Sequence, residues 1–125
     1  MEEQNKKILI VEDDKDYLFI LKTSFEHAGF YAVGVGSAED ALPLIDKEKP
    51  DLIVIDIMLP GMSGIEMAKK LKESGEKMPM MFLTNLGDAG HMSKALETSA
   101  SDYIVKADTR IDDVVIMVKN KLSVK

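Results

Sequence analysis

The chain has 125 residues, within the usual size of one domain, and can bury a core without disulfides. It has no cysteine, which excludes thiol catalysis and zinc–thiolate sites and is compatible with a reducing compartment. Its net charge of −6 disfavours direct nucleic-acid binding and favours a cation or a basic protein surface as partner. No apolar run approaches the roughly 20 residues that span a bilayer, and no secretion signal opens the chain, so we expect a cytoplasmic protein with no membrane partner.

Short apolar runs punctuate the chain at intervals. Residues 7–11 (KILIV) and 52–55 (LIVI) are continuous apolar runs, typical of parallel strands covered on both faces. Further strands are predicted over 30–35, 80–83 and 103–105. Each run ends at a polar residue or a turn.

Apolar residues at helical spacing follow the first two strands and predict two helices. The first helix is predicted to start at Asp14 or Asp16 and to end at Gly29, with His27 in its last turn. The second opens at Ser37 and contains Pro43, which should kink the helix or delay its start.

Three more helices complete the alternation. The third follows Ser63 and Gly64, the fourth spans roughly 92–100, and Thr109 or Asp112 is predicted to cap the last one. Five strands alternating with five helices predict parallel βαβ units with right-handed crossovers. We therefore expect one α/β domain over residues 1–125, a three-layer doubly wound (βα)5 fold of the flavodoxin-like type.

Polar side chains follow four of the predicted strands, where each strand ends. The carboxyl ends of parallel strands meet at one edge of a sheet, which is where such folds bind ligands. These residues should therefore converge, and they are Glu12, Asp13 and Asp14 after the first strand, Asp56 after the third, Thr84 after the fourth and Lys106 after the fifth.

The converging acids need a compensating charge. Two carboxylates about 4 Å apart repel by roughly 4 kcal/mol at an effective dielectric near 20. Oxygen ligands without cysteine or a nearby histidine favour a hard cation such as Mg²⁺. A phosphoryl group on Asp56 would bring charge that the metal and Lys106 could neutralise, and oxygens to which Thr84 could donate. The pattern indicates carboxylate phosphorylation.

Four segments carry a resemblance to a known family: IVEDD after the first strand, IDIMLPGMSG around Asp56, FLTN at Thr84 and DYIVK at Lys106. In this order and at these separations they resemble the receiver domain of two-component response regulators, the family of chemotaxis-regulator-like proteins. The likeness covers almost the whole chain. It implies a five-stranded parallel sheet of strand order 2-1-3-4-5.

The resemblance implies a role for each matching residue. Asp56 would accept a phosphoryl group from a sensor histidine kinase or a phosphotransfer protein, assisted by Lys106 and Thr84. Thr84 and Tyr103 would form the switch pair, remodelling the surface of the fourth helix, fifth strand and fifth helix. The Mg²⁺ ligands would be Asp13, Asp56, the backbone carbonyl of Met58 and, through water, Glu12.

The chain departs from the family pattern at three positions. Ala107 follows Lys106 where the family usually has proline, often after a cis peptide, and a cis bond without proline costs about 3 to 4 kcal/mol. We therefore predict a trans peptide or a remodelled loop there. Asn85 replaces a small residue, and Ser99 replaces a common glycine.

These features predict a phosphorylation-controlled signalling switch whose catalysis is confined to its own phosphoryl transfer and hydrolysis. We expect no output domain within the 125 residues, so the signal would pass to a downstream protein or to an output domain outside them. A phosphorylation-dependent homodimer is a further option. The alternative is a receiver-like binding module that is not regulated by phosphorylation.

Two other classes fit less well. An aspartyl phosphatase would need a second acid two residues after Asp56, where this chain has Met58. A flavin-binding domain would need a phosphate loop rich in glycine and hydroxyl groups after the first strand, where VEDDKD would repel a phosphate.

Overall fold

A computed structural model describes residues 6–85 and 102–122. Five parallel strands form one sheet in the order β2-β1-β3-β4-β5. Both the predicted fold class and the strand order are confirmed. The strands are β1 (Lys7–Val11), β2 (Tyr31–Val35), β3 (Leu52–Asp56), β4 (Met80–Thr84) and β5 (Asp102–Val105).

Helices follow the strands as predicted, and residues 86–101, with the predicted fourth helix and Ser99, lie outside the described residues. The helices are α1 (Lys15–His27), α2 (Ala38–Glu48), α3 (Gly64–Glu73) and a last helix (Ile111–Lys121), which follows a 3-10 turn (Lys106–Asp108). None of these described helices combines the length and the apolar character that crossing a membrane requires.

Alternation along the strands builds a core on each face of the sheet. Leu9, Ile53 and Phe82 pack with residues of α2 and α3 on one face. Ile8 and Val54 pack with α1 and the last helix on the other. Because successive side chains of a strand point to opposite faces, the continuous apolar runs supply both cores at once. This produces the predicted three layers.

Local signals set most of the helix ends. The Asp14 side chain accepts hydrogen bonds from the N–H groups of Asp16 and Tyr17, so Asp14 is the N-cap of α1. Gly29 follows the end of that helix with φ of 98°, a conformation that favours glycine. Ser37 caps α2 by accepting a hydrogen bond from the N–H of Asp40.

The predicted cap of the last helix is wrong, and one of the two effects predicted for Pro43 is absent. The last helix begins at Ile111 after Arg110, with no side-chain cap, so neither Thr109 nor Asp112 is its N-cap. Asp112 lies in the first turn instead, where a carboxylate is still stabilised by the helix dipole. Pro43 lies inside α2 and does not delay its start, because Ser37 caps the helix well before it.

Candidate functional site

The register of the sheet brings Glu12, Asp56 and Lys106 to one edge. Val11 pairs with Ile55, so Glu12 and Asp56 each lie one step further at the carboxyl ends of neighbouring strands. Lys106 follows directly after β5, whose Val105 pairs with Thr84. The predicted convergence therefore occurs, and it depends on the parallel register.

Lys106 bridges two buried carboxylates. Its Nζ donates to Asp56 Oδ2 at 2.8 Å and also to Glu12 Oε1. The Glu12 residue is 1% exposed and Asp56 is 6% exposed, so the three charges lie in surroundings that screen them weakly. Removing Lys106 would leave the two buried carboxylates without a compensating charge. Sequence reasoning gave Glu12 a water-mediated role and did not foresee its direct contact with Lys106.

Burial shifts the titration of this group. Desolvation raises the pKa of the Glu12 carboxyl from its ordinary 4.5 to about 7, although hydrogen bonds from Lys106 and from the Asp14 N–H act in the opposite direction. Burial would lower the pKa of the Lys106 ammonium, but its hydrogen bonds to Asp56 and Glu12 outweigh this and the pKa is raised. Lys106 is therefore a cation at neutral pH.

Asp13 completes a set of carboxylates that could hold a cation. One oxygen from each of Glu12, Asp13 and Asp56 lies within 4.8 Å of the other two, and Asp13 is exposed to solvent. All the donors are oxygen atoms, which suits a hard divalent cation that keeps part of its water shell. Hereafter Glu12, Asp13 and Asp56 are called the acidic cluster.

The loop after β3 holds Asp56 in place. The N–H of Met58 donates to Asp56 Oδ1 at 2.9 Å, so each Asp56 oxygen has a donor. The N–H of Gly64 donates to the Ile57 carbonyl, and a Cβ at Gly64 would lie 2.3 Å from the backbone oxygen of Asp56. This close approach requires glycine. The Met58 carbonyl as a metal ligand stays a prediction.

A second contact tethers the same loop from α2, and sequence reasoning missed it. Glu39 Oε2 accepts a hydrogen bond from the Met62 N–H at 2.9 Å, which holds the pKa of the exposed Glu39 carboxyl below its usual value. Glu39 also lies in the first turn of α2, where a carboxylate is stabilised by the helix dipole. Its spacing gives no hint of a contact with a residue 23 positions away.

Thr84 and Tyr103 share one face of the sheet. Thr84 is fully buried at the end of β4, and Tyr103 is half-buried on β5. Phe82 pairs with Tyr103, and both belong to the core against α2 and α3. Thr84 lies two residues after Phe82 and therefore on the same face. This placement is compatible with a switch pair, while their movement stays a prediction.

The departures from the family pattern leave Lys106 within reach of the acids. The peptide between Lys106 and Ala107 is trans, as predicted, and the backbone continues into the 3-10 turn. Asn85 is exposed at the end of β4.

Tyr17, in the first turn of α1, is a further neighbour of the site. Lys106 Nζ lies over the Tyr17 ring, 4.5 Å from its centroid. Helical spacing correctly assigns this residue to the inner side of α1, where it packs at the margin of the core. It gives no indication that the ring also meets a cation.

Comparisons with known proteins show what this chain is similar to. A family model described as the response regulator receiver domain matches residues 8–118. The alkaline phosphatase synthesis transcriptional regulatory protein PhoP of Bacillus subtilis (strain 168) is 37% identical over 102 residues, which cover 82% of this chain and 42% of that protein. The chain thus spans less than half the length of this curated relative.

Solved structures show the same architecture. The Francisella response regulator 1452 receiver domain superposes with a TM-score of 0.87 at 30% identity, covering 95% of this chain and 98% of that one. The BeF3-activated N-terminal receiver domain of Klebsiella pneumoniae RstA superposes with a TM-score of 0.86 at 29% identity, covering 94% and 98% of the two chains.

Proposed function

This chain belongs to the response regulator receiver domain family, and from that premise we propose that Asp56 is its phosphoryl acceptor. The observation that carries the proposal is the bridge of Lys106 to both Asp56 and Glu12, beside the exposed Asp13. Such a group combines a nucleophilic carboxylate, a fixed cation and oxygen ligands at one open edge of a sheet.

Asp56 is the acid best placed to act as nucleophile. It lies at the end of the central strand β3, with one oxygen held by the Met58 N–H and the other by Lys106. A carboxylate oxygen attacks phosphorus, the bond from phosphorus to the donor breaks, and an acyl phosphate forms. The leaving group keeps the bonding electron pair and takes up a proton from solvent. With a kinase as donor, the leaving group is a histidine imidazole.

The neighbouring side chains stabilise the added charge. Lys106 exchanges its bond with Asp56 for one with a phosphoryl oxygen, and the Thr84 hydroxyl donates to another. Lys106 needs little reorganisation because its ammonium already lies beside Asp56, and Thr84 is near enough to move into contact because it lies at the end of the adjacent strand. Stabilisation of this kind is a large contribution to phosphoryl transfer.

The acidic cluster fits a magnesium site. Asp13 and Asp56 would ligate Mg²⁺ directly, Glu12 would act through water, and the Met58 carbonyl would complete the protein ligands. A bound Mg²⁺ would supply positive charge that offsets part of the negative charge of the phosphoryl group. The acids orient this group without a protein cage, which suits a cation that retains several waters.

The signal leaves through a change of surface. Phosphorylation would draw the Thr84 hydroxyl toward Asp56, and the Tyr103 ring would follow, altering the surface of the fourth helix, β5 and the last helix. The shared sheet face of Thr84 and Tyr103 supports this coupling. It is a two-state element biased by a local change of charge.

The partners follow from this role. The phosphoryl donor is a sensor histidine kinase or a phosphotransfer protein of the cytoplasm. The receiver domain occupies residues 1–125, and its target is a downstream protein or an output domain outside these residues. A relative whose name describes a transcriptional regulator is more than twice as long as the matched region, which supports a covalently attached output domain in such proteins.

The decisive experiment is phosphorylation by a small donor. We expect wild-type protein with Mg²⁺ and acetyl phosphate to gain the mass of one phosphoryl group, and Asp56→Asn to gain none. Asp46→Asn is a matched control, because Asp46 is an exposed carboxylate on α2. Amide NMR with beryllofluoride should show shifts at Thr84 and Tyr103 in the wild type.

The alternative function predicts a different result. A receiver-like module that is not regulated by phosphorylation would show no adduct dependent on Asp56 and no NMR shift at the switch pair. Either adduct formation by Asp56→Asn or its absence from the wild type would contradict the proposal.

A further inference from the structure

Lys106 depends on contacts from outside its own loop for its position. It follows the four-residue strand β5 and begins a 3-10 turn, without the proline that would stiffen the backbone at the next position. A lysine side chain loses much rotamer entropy when it is fixed in one geometry. Yet the Lys106 side chain is only 9% exposed and its ammonium is confined between two carboxylates.

A third group contacts the ammonium from α1. Lysine has three N–H donors, and two of them are directed at Glu12 and Asp56. The ammonium also lies over the Tyr17 ring, whose centroid is 4.5 Å from Nζ. The face of an aromatic ring carries partial negative charge and attracts a cation within about 6 Å.

The hydroxyl of Tyr17 does not explain this arrangement. Its oxygen is buried and has no hydrogen-bond partner among the residues that the structure describes. A buried tyrosine hydroxyl usually has a hydrogen-bond partner. Because the described residues provide none for Tyr17, the hydroxyl contributes no hydrogen bond to them, and the contact with Lys106 is made by the ring. Phenylalanine should therefore serve as well as tyrosine here.

We infer that Tyr17 is a positioning residue, whose ring holds the Lys106 ammonium at the acidic cluster for phosphoryl transfer to Asp56. This inference rests on the proposed function. The ring restrains the ammonium through a contact that does not involve the acids, so that the ammonium stays near Asp56 when the phosphoryl group arrives. In this chain the contact supplies restraint at a loop that has Ala107 after the lysine.

Three variants separate the ring from the hydroxyl and from bulk. Tyr17→Phe keeps the ring, Tyr17→Leu keeps apolar volume without a π face, and Phe19→Leu removes an aromatic ring that is 69% exposed on the same helix. Phosphorylation by acetyl phosphate with Mg²⁺, followed by intact mass, avoids any effect on kinase binding. We expect wild type, Tyr17→Phe and Phe19→Leu to react at equal rates, and Tyr17→Leu about threefold to tenfold more slowly, as a partly desolvated cation–π contact would give.

A spectroscopic readout tests the position of Lys106 directly. The ε-methylene protons of Lys106, assigned by their loss in Lys106→Met, should show an upfield ring-current shift in wild type and Tyr17→Phe. This shift reports the contact between ring and lysine, while the rates of the variants report its effect on phosphoryl transfer. The measurement decides the contact even if Tyr17→Leu does not fold.

The outcomes distinguish this inference from the proposed function. An adduct that depends on Asp56, together with an unchanged rate in Tyr17→Leu, overturns the inference alone. An equal loss in Tyr17→Phe and Tyr17→Leu, or the absence of a ring-current shift, also overturns it. Absence of any adduct dependent on Asp56 in the wild type overturns both.

Discussion

Replacing Lys106 with methionine tests the electrostatic account of the site. Methionine keeps much of the apolar stem but removes the ammonium that both Asp56 and Glu12 contact. The two carboxylates are then left together in a site where Glu12 is 1% exposed and Asp56 is 6% exposed. We expect the folded state to lose stability and to bind more protons.

The size of the loss follows from the geometry. Oxygens of the two carboxylates lie within 4.8 Å of each other, and unit charges at that separation repel by about 3 kcal/mol at an effective dielectric near 20. Removing one partner of a buried ion pair costs a similar amount, about 3 to 5 kcal/mol. This is a large part of the free energy of unfolding of an ordinary domain, about 5 to 15 kcal/mol.

The sign of the pH dependence is also fixed. Without the ammonium the pKa of Glu12 rises further, so the folded chain holds protons that the unfolded chain releases. Stability falls with rising pH wherever the folded state binds more protons, so the deficit of Lys106→Met should be larger at pH 8 than at pH 6. Mg²⁺ should restore part of it, because a ligand of the folded state alone stabilises by mass action.

Urea denaturation at the two pH values, with EDTA or with Mg²⁺, measures these effects. Lys22→Met is the matched control, since the Lys22 ammonium contacts Glu26 at 2.8 Å on the exposed side of α1. Such a pair contributes about 0.3 to 0.5 kcal/mol. Equal losses in the two variants, or a Lys106→Met deficit independent of pH, would refute the account of a buried charge cluster.

Three further predictions concern the same edge of the sheet. Because the pKa of Glu12 is raised, the protonated Glu12 carboxyl adds up to about 3 kcal/mol to the free energy of unfolding below pH 4.5, and this contribution is lost as the pH rises to about 7. Glu12→Gln should flatten that decline in a series of urea midpoints. Asp13→Asn should largely abolish the rise in melting temperature with Mg²⁺, and an equal rise in wild type and variant would exclude Asp13 as a ligand. Gly64→Ala should cost about 1 to 3 kcal/mol, because its Cβ would lie 2.3 Å from the Asp56 carbonyl oxygen; an unchanged urea midpoint would contradict this.

The sheet and its acids were predictable because one physical rule places them. A parallel strand buried on both faces requires a continuous apolar run, and 52–55 has the form that this rule predicts. Topology then brings the strand ends together without any knowledge of side-chain contacts. Asp56 and Glu12 could be placed at one edge for this reason, and their register confirms it.

Contacts between side chains could not be predicted in the same way. The bond between Lys106 and Glu12 joins residues 94 positions apart, and the tether from Glu39 to Met62 joins residues 23 apart. Both depend on rotamers and loop paths that have no periodic signal. The prediction of a cap for the last helix was wrong for a local reason. The helix begins directly after Arg110, whose side chain makes no capping hydrogen bond, and Asp112 lies inside the first turn.

Charge balance connects the bridged site to its proposed chemistry. Three carboxylates and the Lys106 ammonium leave two negative charges when all are ionised, which one divalent cation would neutralise. Lys106 can satisfy Glu12 and Asp56 by itself, but it leaves the exposed Asp13 as the point where a cation from solvent would first be attracted. In the proposed function, a phosphoryl group on Asp56 would add further negative charge. The buried ammonium compensates the two carboxylates in this structure, and the same position beside Asp56 would let it stabilise the proposed product.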